Sequence, residues 1–328
     1  MTVFRPHPVW HRDRTAVDLR LAGGWCWFDP TGTPLADLPR LTAPRPMIAG
    51  LSLNRPRIMG ILNVTPDSFS DGGELATVAA AVARARQTVG VADLLDIGGE
   101  STRPGAVDVS VSAEIGRVVP VIAAIRAAGI TTPISVDTRK AAVAQAALNA
   151  GADMINDVSA LRHDPDMVHL LAEAGVPVCL MHAQGDPATM QKDPRYDDVF
   201  LEVFQFLAER AEFATAAGIA PAQIIVDPGI GFGKTLQHNV TLLRGLAALH
   251  GLGFPVLVGA SRKGFIGIIG QAQGPQDRLG GSIAVALHAV TQGVQILRVH
   301  DTADTRQALR LQQALTGVGT DDTQAVWD

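Results

Sequence analysis

The chain has 328 residues, of which 47% are hydrophobic and 18% are charged, and its formal net charge is -5. These values allow the buried core of one large α/β barrel or of two ordinary domains, and they argue against extensive disorder. No block of Lys or Arg stands out, and basic residues are not interleaved with aromatic ones, so nucleic acid is a poor partner. A small anionic substrate remains possible, because it needs only a few well-placed cations.

The chain has two cysteines, Cys26 and Cys179, too few for a disulfide framework or a thiolate zinc site. The first residues lack the apolar run of a signal peptide, and no stretch of about 18 apolar residues occurs. We therefore expect a soluble, cytoplasmic protein.

Residues 1–54 differ in composition from the rest of the chain. They are rich in proline and contain three of the four tryptophans, Trp10, Trp25 and Trp27. The Gly23-Gly24 pair predicts a small hairpin. We interpret this part as an N-terminal extension on the outside of the main domain at 55–316, and residues 317–328 as a C-terminal tail.

From Arg57 onward, short apolar runs alternate with helical stretches rich in Ala and Leu. Continuous apolar character is typical of parallel strands that are covered on both faces. The eight runs are 57–63, 93–98, 133–137, 153–157, 177–182, 223–227, 255–261 and 294–300. They predict an α/β fold, a (β/α)8 TIM barrel with an N-terminal extension. A doubly wound open sheet remains the alternative, because strand order is not visible in a sequence.

Local signals place some of the helix ends. The Asp-Pro-Asp segment 164–166 predicts a helix start. Gly151 and Gly175 follow Ala-rich helices, where a left-handed cap is favoured. Ser112 together with Glu114 predicts the start of a helix that runs to about residue 128.

Polar side chains stand at the end of each predicted strand, where barrel enzymes carry their catalytic groups. For Asp137 alone, helix capping is an equal alternative, but eight such strand ends are hard to attribute to chance. The loops 63–73 and 98–106 are candidates for ligand contact, with ordinary surface loops as the alternative. The polar residues are Asn63, Asp96, Asp137, Asn156, Asp157, His182, Asp227, Ser261, Arg262, Lys263, Arg298 and His300.

The segment 226–235 invites comparison with the phosphate-binding loop of nucleotide hydrolases. Gly233-Lys234-Thr235 fits the end of that motif, but Pro228 stands where its first glycine is required. We therefore exclude such a loop, although backbone N–H groups near a helix start can still hold a ligand.

Several long motifs together resemble the dihydropteroate synthase family. They lie at 61–73, 96–106, 135–138, 155–160, 226–235, 259–267 and 298–301, in the order found in that family. The resemblance implies a transferase of folate biosynthesis. It would join (7,8-dihydropterin-6-yl)methyl diphosphate to p-aminobenzoate, giving 7,8-dihydropteroate and diphosphate.

The resemblance also implies a pterin-binding set deep in the barrel, in which carboxylates and an amide accept from the ring N–H groups and an ammonium donates to a ring acceptor. Its members are Asp96, Asn156, Asp227 and Lys263, with Asp137 close by. Met181 would pack on the ring, with plain core packing as an equal alternative, and His182 is a weaker candidate.

The implied diphosphate-binding residues are Asn63, Arg298 and His300. Mg²⁺ would bridge the phosphate oxygens, with Asn63 as its protein ligand, since this cation is usually held by few protein groups. The planar donor fork of Arg298 suits phosphate. For His300 a structural hydrogen bond is the alternative.

The implied p-aminobenzoate site is built largely from loops. Ser261 would receive the carboxylate near a helix start. The ring would lie between Phe69, Pro104, Phe232 and the stem of Lys263. Thr102 and Arg103 would close over the site from the second loop, while Asp67 and Ser68 would help to order the first.

The mechanism implied is loss of diphosphate before the amine attacks, so positioning and electrostatics dominate. Its catalytic residues would be Asp96, Asp137, Lys263, Arg298 and His300. A methyltransferase that uses a methylated folate and a non-catalytic pterin-binding paralogue are the alternatives. The resemblance further implies a homodimer and a target of sulfonamides, which mimic p-aminobenzoate.

Overall fold

The computed structural model describes residues 44–64, 78–101, 108–185 and 189–316. Of the first 43 residues it describes only two short strands, His7–Pro8 and Val17–Asp18, which pair antiparallel. The predicted hairpin around Gly23-Gly24 and the C-terminal tail lie outside the described residues.

Eight parallel strands form the centre of the described chain. They are β1 (Arg57–Asn63), β2 (Leu94–Gly98), β3 (Ile134–Asp137), β4 (Met154–Asp157), β5 (Val178–Met181), β6 (Ile224–Asp227), β7 (Leu257–Val258) and β8 (Ile296–Val299). Their order is β6-β5-β4-β3-β2-β1-β8-β7. A parallel bridge between Val226 of β6 and Val256, next to β7, closes the circle. The barrel prediction is confirmed, and the open-sheet alternative is wrong because β6 and β7 are not free edges.

Helices follow the strands around the outside of the barrel. They are α1 (Val78–Thr88), α2 (Val111–Ala127), α3 (Ala141–Asn149), α4 (Asp166–Ala174), α5 (Val199–Ala216), α6 (Leu236–Arg244), α7 (Gly264–Ile269), α8 (Leu279–Thr291) and α9 (Thr302–Thr316). Short 3-10 helices lie at Pro221–Gln223, Leu246–Leu252 and Gln276–Arg278. No helix in these described stretches is long and apolar enough to cross a membrane.

The helix ends agree with most of the local signals. Asp164 accepts a hydrogen bond from the Asp166 amide at 3.0 Å, and Gly175 ends α4 at φ 63°. Helix α2 starts earlier than predicted, because Ser110 caps it by accepting from the Ala113 amide at 3.3 Å. Glu114 is fully buried and pairs with a lysine instead of opening the helix.

The barrel interior is apolar at the amino-terminal ends of the strands. Ile48 and Leu53, which precede β1, close this end, so the last part of the predicted extension packs into the barrel opening. They contact the inward strand residues Met59, Leu94, Met154, Cys179, Ile225, Leu257 and Ile296.

Two residues further along the strands, the inward positions become polar, since alternate strand residues share one face. Leu94 is followed by Asp96, Met154 by Asn156, Ile225 by Asp227 and Ile296 by Arg298. The outward residues between them are buried against the helices in the larger apolar core. The fold therefore places a polar layer at the carboxyl-terminal mouth of the barrel.

Candidate active site

Side chains from four strands, β2, β3, β4 and β8, meet in a buried polar cluster in the barrel mouth. Arg298 donates from Nε to Asp96 at 2.6 Å and from Nη2 to Asp137 at 2.9 Å. Asn156 donates to the same Asp96 oxygen at 3.3 Å. Asp137 thus pairs with a cation from β8, and the residue at the start of α3 is Lys140. The capping alternative for Asp137 is therefore wrong.

Burial and charge perturb this cluster strongly. Burial raises the pKa of Asp137 to about 7, although Arg298 opposes the shift. Burial lowers the pKa of Arg298, but Asp96 and Asp137 outweigh it and hold that pKa above its ordinary value. Oδ1 of Asp96 is buried without a hydrogen-bond partner among the described residues. Such an acceptor is costly unless a ligand donor reaches it.

A second charged group lies at the ends of β6 and β7. Asp227 accepts from the Gly229 amide at 2.7 Å, and burial raises its pKa. Lys263 donates to the carbonyl of Ile230 and lies 4.3 Å from the centre of the Phe232 ring. Burial lowers the pKa of Lys263 to about 7, against the pull of Asp227. The structure thus brings together Asp227, Lys263 and Phe232.

The loop after β6 fits only because three of its residues are glycines. Gly229, Gly231 and Gly233 all have positive φ, at 65°, 84° and 61°. A Cβ at Gly229 would lie 1.8 Å from the carbonyl oxygen of His182. The loop therefore lies directly on the segment that follows β5.

A buried lysine on this loop received no functional role in the sequence analysis. Lys234 is 3% exposed, and its Nζ lies 2.9 Å from His182 Nδ1 and donates to the Phe232 carbonyl at 3.0 Å. Burial lowers the pKa of Lys234 to about 7 and that of His182 to about 3. The His182 ring also makes a T-shaped contact with the Phe206 ring, with 4.8 Å between the ring centres. The signal that could have found Lys234 is a lysine inside a glycine-rich motif.

Ser261 and His300 form one unit at the ends of β7 and β8. The Ser261 hydroxyl lies 3.1 Å from His300 Nδ1 and accepts from the His300 amide at 3.3 Å. Next to them, Arg262 pairs with Asp301 at 2.6 Å. Arg262 and Asp301 both lie in the sequence motifs given above, but neither was predicted to have a functional role.

A further ion cluster joins the turn after β3 to Glu100 after β2 and to the first turn of α2. Lys140 Nζ contacts Glu114 at 2.8 Å, Glu100 at 3.2 Å and the Val109 carbonyl at 2.5 Å. Glu100 in turn accepts from the Val109 amide at 3.0 Å. Sequence reasoning missed this cluster, because its charges are far apart in the chain.

The remaining predicted residues end strands or lie outside the described part of the chain. Asn63 ends β1, and a Cβ at Gly98 would be 3.4 Å from its side-chain oxygen. Met181 is 3% exposed at the end of β5, and both of its alternatives stay open. Thr102, Arg103, Pro104, Phe69, Asp67 and Ser68 lie outside the described residues.

A family model and individual relatives both place this chain among the same group of proteins. Residues 59–300 match the family described as pterin binding enzyme. Dihydropteroate synthase of Escherichia coli (strain K12) is 49% identical over 265 residues, which is 80% of this chain and 93% of the relative. The Neisseria meningitidis serogroup B synthase is 50% identical over 272 residues, covering 81% of this chain and 94% of the relative.

Solved structures agree with the sequences. Xanthomonas albilineans dihydropteroate synthase with 4-aminobenzoic acid is 50% identical, has a TM-score of 0.78 and covers 85% of this chain and 100% of that chain. The same enzyme in complex with 7,8-dihydropteroate is 45% identical, with a TM-score of 0.73 and coverage of 84% and 100%. The chain therefore belongs to the pterin-binding enzymes and, within them, to the dihydropteroate synthase family.

Proposed function

We propose that this chain joins a dihydropterin methyl diphosphate to p-aminobenzoate and releases diphosphate and 7,8-dihydropteroate. The observation that carries the proposal is the buried mouth cluster of Asp96, Asp137, Asn156 and Arg298. The synthases at 49% and 50% identity and the relative's complex with 7,8-dihydropteroate support it.

The pterin ring is assigned to the buried polar layer. Asp96 offers a buried acceptor without a partner in the described chain, which matches a ring N–H donor. Asn156 and Asp227 supply further acceptors, and Lys263 supplies a donor. A methyltransferase would share these acceptors but would have no evident use for the basic residues at the ends of β7 and β8.

The diphosphate is assigned to the rim beside this layer, on Arg298, His300 and Asn63. Arg298 already carries two carboxylate contacts, so binding of the diphosphate would have to share or replace them. Its position beside both Asp96 and Asp137 couples the pterin and diphosphate subsites electrostatically.

Asn63 suits Mg²⁺ as a hard oxygen ligand. The described chain contains no cluster of three or more His, Cys, Asp or Glu for a metal. A cation held by one amide oxygen, diphosphate oxygens and water would fit such a site. When bound, Mg²⁺ would neutralise charge on the leaving diphosphate.

The second substrate is assigned to the side of the barrel formed by β6 and β7. Ser261 lies at the start of the segment leading into α7 and would hold the carboxylate of p-aminobenzoate, and Phe232 with the stem of Lys263 would hold its ring. The Yersinia pestis relative was solved with a sulfonamide drug, at 47% identity. We propose that sulfonamides compete for this same subsite.

In the proposed reaction the bond between the pterin methylene and the diphosphate oxygen breaks first. Arg298 and His300 stabilise the departing anion, and the carboxylates of Asp96, Asp137 and Asp227 stabilise positive charge on the pterin. The aromatic amine then forms the new C–N bond and loses a proton. No covalent bond to the protein is required, so the protein contributes positioning and charge.

We also propose a cytoplasmic homodimer. Exposed apolar side chains on α7 and α9 support a self-contact, and they are Ile268, Ile269, Leu311 and Leu315. Sedimentation equilibrium tests this, since a monomer at micromolar concentration would contradict it. The buried free thiol of Cys179 is compatible with a reducing compartment.

The deciding experiment is a turnover assay with both substrates and Mg²⁺, following dihydropteroate and diphosphate. Product that requires every component establishes the reaction. A folded protein that binds pterin but forms no product would favour the non-catalytic paralogue, and methyl transfer from a methylated folate would favour the methyltransferase.

A further inference from the structure

Arg262 has an unusual backbone conformation between two residues of the candidate site. Its φ is +59°, in the left-handed region that residues with side chains rarely occupy. On one side, Ser261 contacts His300, and on the other, Lys263 reaches the carbonyl of Ile230. A strained residue persists only where surrounding contacts hold it.

The side chain of Arg262 makes a two-point contact with Asp301. Nη2 donates to Oδ1 at 2.6 Å, and Nε donates to Oδ2 at 3.1 Å. The two side chains are 17% and 14% exposed. A bidentate guanidinium–carboxylate pair fixes orientation as well as distance.

This pair joins the ends of two neighbouring strands. Arg262 follows β7, and Asp301 directly follows His300 beyond β8. The pair therefore restrains Ser261 and His300 relative to each other without using the group that either of them offers to a ligand.

The main chain of Arg262 is held as well. Its amide donates to the Ser282 hydroxyl of α8 at 2.9 Å, and its carbonyl accepts from Arg278 at 2.9 Å. Ser282 donates to the Arg278 carbonyl at 2.7 Å, which links the two supports.

We propose that Arg262 and Asp301 are positioning residues, which hold the turn after β7 so that Ser261 and His300 face the carboxylate of p-aminobenzoate and the diphosphate together. This proposal rests on the proposed function. If the pair only stabilised the fold, its removal would lower the free energy of unfolding and leave the KM of the folded protein unchanged.

The test is a double-mutant cycle in the full-length protein, with Arg262→Met, Asp301→Asn and the double variant. Each single change is expected to raise the KM for p-aminobenzoate about tenfold and to lower kcat, because small displacements of positioning groups are costly. The kcat/KM of the double variant is expected to lie within about twofold of that of the less active single variant, because the two residues act through one contact.

Arg262→Gly separates the ion pair from the backbone strain, since glycine adopts positive φ freely. It is expected to recover thermal stability relative to Arg262→Met and to keep the raised KM. Normal KM in Arg262→Gly would overturn the proposal. A matched control is the pair Arg126–Asp153, also at 2.6 Å but beside the amino-terminal ends of the strands. Arg126→Met is expected to change the KM values by less than about twofold.

A second readout does not depend on turnover. The affinity for inorganic pyrophosphate, measured by calorimetry, is expected to fall about fivefold in Asp301→Asn, because His300 shifts. Absence of turnover in the wild-type protein would count against the proposed function alone. Pyrophosphate affinity and p-aminobenzoate KM unchanged in both single variants would overturn the positioning role.

Discussion

Arg298 supplies the positive charge that balances two buried carboxylates in the barrel mouth. It is the shared partner of Asp96 and Asp137, which are 0% and 8% exposed in their side chains. Removing it leaves two buried carboxylates without their counter-charge and takes a donor away from the diphosphate. We expect Arg298→Met to lower kcat/KM by at least about a hundredfold.

Steady-state kinetics and a urea unfolding curve check this prediction together. The loss of stability in Arg298→Met should be larger at pH 8 than at pH 5, because at pH 8 Asp137 is ionised and has lost its cation. Arg45→Met is the control, since Arg45 is also buried but binds the carbonyls of Gly253 and His250 away from the mouth. Wild-type kcat/KM in Arg298→Met would refute the assigned role.

Asp137 should give the protein an unusual pH dependence. Its pKa is raised to about 7 by burial, so the folded protein binds this proton more tightly than the unfolded chain does. The resulting stability is fully present below the pKa of a free Asp, about 4, and is lost as the pH rises through about 7.

We expect Asp137→Asn to flatten the stability curve between pH 4 and 7, by roughly 1–4 kcal/mol relative to wild type. Its turnover should fall, because a carboxylate near the pterin is lost. Chemical denaturation at several pH values measures the first effect. Curves of equal slope in the two proteins would show that Asp137 does not titrate in this range.

At the residue scale, sequence and structure agree on which groups meet in the mouth but not on their partners. The strand-end rule placed Asp96, Asp137 and Arg298 together, because parallel strands share one carboxyl edge. The contact of Arg298 with Asp96 and Asp137 was not predicted, because the spacing of strands does not show which way a side chain points within the polar layer. The buried position of Lys234 was not predicted for a related reason, because burial of a lysine depends on how the neighbouring loop packs.

At the element scale, the glycine-rich loop after β6 is the least replaceable segment. Gly229 combines a φ of 65° with a Cβ position 1.8 Å from the His182 oxygen. Gly229→Ala should therefore destabilise the protein by roughly 2–5 kcal/mol, since neither strain nor overlap can be relieved locally. Thermal unfolding measures this loss.

Gly264→Ala provides the matched control, because a Cβ at Gly264 meets nothing within 4 Å and Gly264 begins α7. That change should be neutral or slightly stabilising. Equal melting temperatures for Gly229→Ala and wild type would mean that the loop can leave the His182 segment.

Lys140 contacts two buried glutamates at the turn after β3. Lys140 is the cation for Glu114, which is fully buried, and for Glu100, which is 8% exposed. Lys140→Met should cost about 3 kcal/mol of stability, because it leaves the buried Glu114 without its cation, whereas Glu100 keeps its contact with Arg139. Adding Glu114→Gln should recover part of this loss in a denaturation experiment. Failure of the second change to recover stability would show that Glu114 is not the group left unpaired.

The elements themselves were largely predictable, because buried parallel strands are continuous apolar runs. The run 255–261 became only the short strand β7, since the residues after Val258 turn into the site. The start of α2 was missed by two residues, because Ser110 and Ser112 both suit a helix start and only geometry separates them.

At the scale of the whole molecule, stability and function are separated along the barrel axis. The amino-terminal end is filled by apolar side chains, and the carboxyl-terminal end carries the polar layer. The sequence predicted this polarity of the barrel, but it placed residues 1–54 entirely outside. Ile48 and Leu53 are instead part of the inner apolar cluster, a contact that no local pattern reveals.

The closure of the amino-terminal end should therefore be needed for folding and not for catalysis. Leu53 is 2% exposed, and Leu53→Ala leaves a cavity against the inward side chains of the strands. We expect a loss of about 2–5 kcal/mol in the free energy of unfolding. The KM for both substrates should stay within about twofold, because barrel chemistry lies at the opposite end. Urea denaturation and kinetics on the folded protein measure the two effects separately. A large change in KM would mean that the apolar cluster at the amino-terminal end transmits a displacement from Leu53 to Asp96. The packing of one end of the barrel would then control the geometry of the other.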